Sequence, residues 1–293
     1  METREITKEE KLLSLIKEKK ISFSDIHKDL DNNTANKIWQ KLYTIRMDSI
    51  EKYMKLLPYS YIKDISILNY NYNKIPTLSA LNKFLNDYGW ACCWSYKLSE
   101  EDFFYLAANK IFAITSHCRD INQLDRSIYP DFIHDLWGHI PLLSNKLISD
   151  LILILANQFL LHEYNNIDKK INKIISINAK NENDKNIIHE ILADQKISKK
   201  KAISRLFLFT VEFGLLGNIT DYKIIGGGII SSNKELANLV SNQVNIKKLC
   251  RQDLYINEYC LHDKQRQYFI LNGIDPVNNV RKIIEAINNF VSL

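Results

Sequence analysis

A mainly helical chain with a small β element, an α+β fold, is what this sequence predicts, on three observations. Apolar residues recur at three- and four-residue steps over long stretches, short β-type runs are few, and those few cluster towards the end of the chain. The first clear helix is KIWQKLYTIRMDSIEKYMKLL (37–57), where Ile38, Leu42, Ile45, Ile50, Met54 and Leu57 make a core-facing stripe. A second begins after Pro76, with Thr77 and Ser79 as N-cap candidates and Leu78, Leu81, Phe84 and Leu85 as the buried face. A third, LSEEDFFYLAANKIF, opens at Ser99 with Asp102 three residues on, a capping-box-like pattern. Strands are expected in DYKIIGGGIISS (221–232) and RQYFIL (266–271).

At 293 residues the chain suits one large domain. Its 46% hydrophobic and 25% charged residues are those of an ordinary globular protein rather than a disordered or fibrous one. The division expected is an N-terminal helical extension over 1–35 and a catalytic domain over 36–293, interrupted at about 165–201 by a Lys- and Asn-rich surface insert. The net charge of +5 gathers partly around Lys196 to Lys201, which reads as solvated surface. No exposed aromatics interleave with those lysines, so a nucleic-acid partner is not expected. Five cysteines without CxxC spacing read as reduced thiols of a cytoplasmic protein. The charged N-terminus is unlike a signal peptide, and the longest apolar run, Leu151 to Leu161, is too short to cross a bilayer.

The chemistry concentrates in YPDFIHDLWGHIPLL (129–143), where His134 and His139 stand five residues apart. Imidazole is the commonest side-chain metal ligand, yet a five-residue step on an ideal α-helix leaves the two rings well off one line. A structural pair of histidines therefore stays open beside a metal pair. Asp131 is placed to begin the helix and to orient an imidazole, while Gly138 and Pro141 bracket His139 where a helix end would let the two converge. Glu212, alone in the apolar run LFLFTVEFGLL, needs a cation or a metal, because an unpaired buried carboxylate is very costly. Two histidines and one carboxylate form the ligand set of mononuclear non-haem iron, with coordination positions left open.

PDFIHDLWGHIPLL, FTVEFGL (209–215) and GGGIISS (226–232), in that order, resemble the pterin-dependent aromatic amino acid hydroxylases, the phenylalanine, tyrosine and tryptophan hydroxylases. The likeness runs from about Trp39 through IPTLSALNKFL and the Phe103 to Arg119 region to YFILNGIDPVNNVRKII. It implies a single hydroxylase-like catalytic domain in which iron(II) and a tetrahydropterin together activate O2 for attack on an aromatic ring. It further implies His134, His139 and Glu212 as iron ligands, with Leu98, Phe103 and Asp135 on the pterin. Arg119 would meet the substrate carboxylate, and Ser127, Pro130, Leu208, Phe213, Gly228 and Ser231 would surround the rest of the amino acid. Without the likeness, Arg119 reads as a surface ion pair and Phe103 as core.

Three departures from the family pattern bear on the substrate. Phe207 and Leu208 replace an aromatic pair, Asp135 stands for the usual Glu, and Trp137 adds bulk beside the ligands. Phenylalanine converted to tyrosine by a monomeric, single-domain enzyme of bacterial type is the expected activity, given the apolar wall around Phe213. Tryptophan or another aromatic substrate is the alternative, followed by a relative that binds iron and pterin without turnover and, more remotely, a metallohydrolase.

Overall fold

The computed structural model describes residues 7–25, 32–124, 130–163, 197–241, 243–257, 260 and 263–289. Within them, twelve α-helical segments and two small sheets carry the fold. The first half runs α1 (Lys8–Lys17), β1 (Ile21–Ser22), α2 (Asn32–Tyr53), α3 (Tyr59–Leu68), α4 (Leu78–Asn86), β2 (Ala91–Ser95), α5 (Glu100–Ala108) and β3 (Ile111–Thr115). Next come α6 (Phe132–His134), which passes into a π turn over Asp135–His139 and a 3-10 turn over Ile140–Ser144, and α7 (Lys146–Leu160). Helix α8 (Lys199–Phe207) passes into a second π turn over Leu208–Glu212, followed by β4 (Gly214–Gly217), β5 (Tyr222–Ile224) and α9 (Gly227–Ile230). The chain ends with α10 (Asn233–Leu239), β6 (Asn245–Lys248), α11 (Asp253–Ile256), β7 (Gln267–Asn272) and α12 (Pro276–Asn288).

Strand β2 pairs antiparallel with β1 and parallel with β3, in register from Ala91↔Ile111 to Ser95↔Thr115. The second sheet has the order β5-β4-β7-β6, with β4, β7 and β6 mutually parallel. Helix α5 packs on α7 through Phe104 and Phe159, whose stacked rings lie 4.1 Å apart. The second sheet meets the Leu208–Glu212 turn where Phe209 lies 4.5 Å from Phe269.

The caps at Thr77 and Ser99 form as expected, each side chain accepting from the backbone N–H three residues on. Asp102 does not complete a capping box, because its carboxylate turns away to Lys11 and Lys20. Four further sequence readings are corrected. The helix from Ser99 stops at Ala108, Lys110 takes a left-handed φ of 58°, and Ile111 and Phe112 open β3. The first sheet was not anticipated, since ACCWS and IFAIT are buried, non-alternating runs of a parallel pair with no two-residue period. GGGII, expected as strand, is the short helix α9. Lys200 and Lys201 are buried rather than solvated, Lys200 lying over the Phe159 ring and 3.3 Å from Glu101. Of the insert, residues 164–196 lie outside the described residues. Among the described residues no single helix is long and apolar enough to cross a membrane.

Candidate metal centre and cofactor pocket

Two π turns converge to make the centre. Asp131 caps α6, accepting from the His134 N–H at 3.0 Å, and the helix then widens so that the Ile140 N–H donates to the Asp135 carbonyl five residues back. A turn closed by i to i−5 hydrogen bonds sets residue i+5 nearly over residue i, which resolves the spacing that an α-helix could not. His134 and His139 thereby bring their Nε2 atoms to 3.0 Å. The turn bearing Glu212 is built alike, the Phe213 N–H donating to the Leu208 carbonyl at 2.9 Å.

Widening a helix leaves carbonyls without their regular partners, and buried carbonyls need donors. Tyr70 and Tyr61 supply them, their hydroxyls donating to the Leu136 and Trp137 carbonyls at 2.8 and 2.9 Å. Trp137 itself turns away from the ligands into the core, stacked on Trp39 and edge-on to Tyr70. Tyr70→Phe is therefore expected to lower stability by about 1–3 kcal/mol, the cost of an orphaned buried acceptor. It should also loosen iron binding; urea denaturation with chelator competition checks both, and an unchanged iron affinity would separate the tyrosine from the ligand turn.

The three donors fit a common ion. Glu212 Oε1 lies 3.0 Å from His139 Nε2, and Glu212 Oε2 lies 3.4 Å from His134 Nε2. Two ligands at right angles on one ion, with bonds of about 2.1 Å, stand about 3.0 Å apart, so these edges suit one face of an octahedron. His134 Nδ1 meets Ser231 Oγ at 2.9 Å, which turns Nε2 towards the centre. Burial acts to raise the Glu212 carboxyl, but the His139 and His134 imidazoles outweigh it and hold the group below the usual carboxylate range. Burial acts to lower His134, and the Glu212 carboxylate outweighs that to raise it. Asp135 is pushed up to about 6 by burial, against the opposing pull of His134, His139 and the Thr115 N–H.

The centre opens onto a cavity of about 750 Å³ lined by Leu98, Phe103, Phe112, Pro130, Asp135, Phe207 and Leu208 together with the three ligands. Leu98, Phe103 and Asp135, which the resemblance assigns to the pterin, and Pro130 and Leu208, which it assigns to the substrate, thus share one chamber. Other candidates lie elsewhere. Arg119 is buried, its Nε and Nη2 donating to Asp131 at 2.7 and 2.8 Å and its Nη1 to the Leu124 carbonyl. Asp131 accordingly serves Arg119 and the helix cap, not an imidazole. Ser231 and Gly228 lie behind the ligands, Gly228 against the Phe213 ring, and Ser127 falls outside the described residues. Sequence reading missed Tyr61, Tyr70, Thr115 and Gly227, whose roles depend on contacts distant along the chain.

With this geometry in hand, comparison with known proteins is decisive. The family described as biopterin-dependent aromatic amino acid hydroxylase matches residues 15–178 and 188–293. The chain belongs to this family. It is an aromatic amino acid monooxygenase that uses iron, a tetrahydropterin and O2. Phenylalanine-4-hydroxylase of Pseudomonas aeruginosa is 25% identical over 240 residues, covering 81% of this chain and 78% of that protein. The fold is that of the cold-active phenylalanine hydroxylase of Colwellia psychrerythraea, with a TM-score of 0.69 at 23% identity over 90% of this chain and 92% of that one. Chromobacterium violaceum phenylalanine hydroxylase, seen with bound iron(III) and 7,8-dihydrobiopterin, gives a TM-score of 0.61 at 23% identity, covering 89% and 80% of the two chains.

Proposed function

We propose that this hydroxylase converts phenylalanine to tyrosine, with iron(II) on His134, His139 and Glu212 and the pterin on Phe103, Leu98 and Asp135. The observation that carries the reading is the ligand face opening directly onto an aromatic, apolar chamber that includes Phe103, Phe112, Phe207 and Leu208. Iron and the reduced pterin, when bound, supply the oxygen activation; the protein binds, orients and excludes water. Phe103 presents a ring on which a pterin stacks, and Asp135 offers a carboxyl to its N–H groups. Pro130, Leu208 and Phe213 take up the substrate ring, supported from behind by Gly228 and Ser231. Arg119, its Nε and Nη2 held by Asp131, meets the amino acid carboxylate through Nη1, the carboxylate replacing the Leu124 carbonyl as acceptor.

The test supplies iron(II)-loaded protein with O2, tetrahydrobiopterin and phenylalanine, tyrosine or tryptophan in turn. Tyrosine from phenylalanine is expected, with the KM for phenylalanine raised at least about tenfold in Arg119→Ala, the scale of a lost charge-assisted pair. Product from tryptophan alone would overturn the substrate, and no product from iron-replete protein would overturn the activity.

A further inference from the structure

The N-terminal segment is tied to the pocket at several independent points. Asp102, in the first turn of α5 and next to Phe103, is only 3% exposed. A carboxylate so placed needs cations, and both come from the N-terminal segment: Lys11 Nζ at 2.6 Å and Lys20 Nζ at 3.4 Å. Burial raises the Asp102 carboxyl, yet Lys11 and the Ser99 hydroxyl outweigh it and hold the group below its ordinary range. On the same helix the Tyr105 hydroxyl donates to the Lys8 carbonyl at 3.0 Å.

Strand β1 extends the attachment. Its Ile21 and Ser22 register with Ser95 and Trp94 of β2, and the Tyr96 N–H donates to the Lys20 carbonyl at 2.9 Å. The stretch Ser95 to Ser99 then lines the cavity, with Lys97 in a left-handed φ of 49° that is held between this strand pairing and the Ser99 cap. Beneath it, Leu15 and Ile21 form a small separate core with Cys93, Leu106, Ile111 and Ala113, against which Leu98 and Phe103 pack. Among the described residues, these ion pairs, the strand pairing and the apolar contacts of residues 8–22 end on α5, β2, β3 and the loop before α5, the wall that carries Leu98 and Phe103. Asp25 beyond them accepts from Ser79 of α4.

We infer that the segment 8–22 is a positioning element for the cofactor, with Lys11 and Asp102 as its principal joint. Held by that joint, α5 and the loop before it keep the Phe103 ring and Leu98 at the spacing a pterin requires. Released, the wall relaxes while the metal centre stays intact. The inference rests on the assignment of Phe103 to the pterin made above.

The experiment uses the full chain as Lys11→Met, Asp102→Asn, the double variant and Phe103→Ala. Binding of 7,8-dihydrobiopterin is measured by calorimetry, iron(II) binding by chelator competition, and KM for tetrahydrobiopterin and phenylalanine separately. Each joint variant is expected to weaken 7,8-dihydrobiopterin binding and raise the tetrahydrobiopterin KM by about five- to tenfold, the coupling usual within one contact network. Iron affinity and the phenylalanine KM should stay unchanged, and the double variant should be no worse than the worse single one. Lys11→Met removes only a partly exposed cation, so it keeps the test alive if Asp102→Asn misfolds. Folded joint variants with normal pterin binding beside an impaired Phe103→Ala would overturn the positioning role alone. Normal pterin binding in Phe103→Ala would overturn the cofactor assignment and this inference with it.

Discussion

Replacing Glu212 by alanine is expected to remove iron(II) from the centre and to abolish hydroxylation while leaving the fold in place. Glu212 is the only anion among the three donors, and the histidines beside it already hold it ionised against the effect of burial. Without it the ion keeps two neutral ligands in a poorly hydrated site. Partners one step removed from a metal already contribute 10- to 100-fold in affinity, roughly, so loss of a ligand should exceed about a hundredfold. The fold should survive because the flanking Phe209, Val211 and Leu215 are buried and continue to anchor the turn and β4. Chelator competition, product chromatography and thermal melting together check this. Glu212→Ala that retains stoichiometric iron and forms product would remove the carboxylate from the ligand set.

Glu212→Gln separates charge from shape, since it keeps the volume and one oxygen donor. It should lose most of the iron affinity as well, because the two imidazoles are neutral ligands and only the carboxylate balances the ion's charge. The dependence is mutual: burial acts to lower His134, and the Glu212 carboxylate outweighs that to raise it.

The donor residues were legible in the sequence because their types are costly in their surroundings. Glu212 stands alone among apolar side chains, and two imidazoles stand close together in one apolar helix. What could not be read was how a five-residue step converges. Gly138 and Pro141 suggested a helix end, whereas the structure solves the problem with a π turn and then a 3-10 turn that begins near Pro141. Sequence periodicity has no separate signature for a single widened turn, because the turn is stabilised from outside the helix, here by Tyr61 and Tyr70. The first sheet escaped for a related reason. Buried parallel strands such as β2 and β3 lose the alternation that marks a half-exposed strand.

Gly138 and Gly227 show the same dependence on distant contact. A Cβ on Gly138 would stand 2.5 Å from the Gly227 carbonyl oxygen, so the ligand turn and α9 touch backbone to backbone. A Cβ on Gly227 would lie 2.6 Å from Nδ1 and 2.8 Å from Nε2 of His139, inside any allowed contact. The imidazole has little room to yield, being 3% exposed and packed against the Phe112 ring at a centroid distance of 5.4 Å. Gly227→Ala is therefore expected to push His139 off its ligand position. Overpacking of this kind costs about 1–3 kcal/mol, which corresponds to roughly 5- to 150-fold in iron(II) affinity if the strain is relieved by turning the ring. The hydroxylation rate at limiting iron should fall in proportion and recover partly with excess iron(II). Gly228→Ala is the informative companion, because its Cβ would meet the Glu212 carbonyl oxygen and the Phe213 ring, each at 2.9 Å, and should lower iron affinity by pressing on the carboxylate ligand's backbone rather than on His139. Equal iron affinity in Gly227→Ala and the wild type would mean that α9 can retreat without moving His139, and the close approach of the two backbones would then have no hold on the metal.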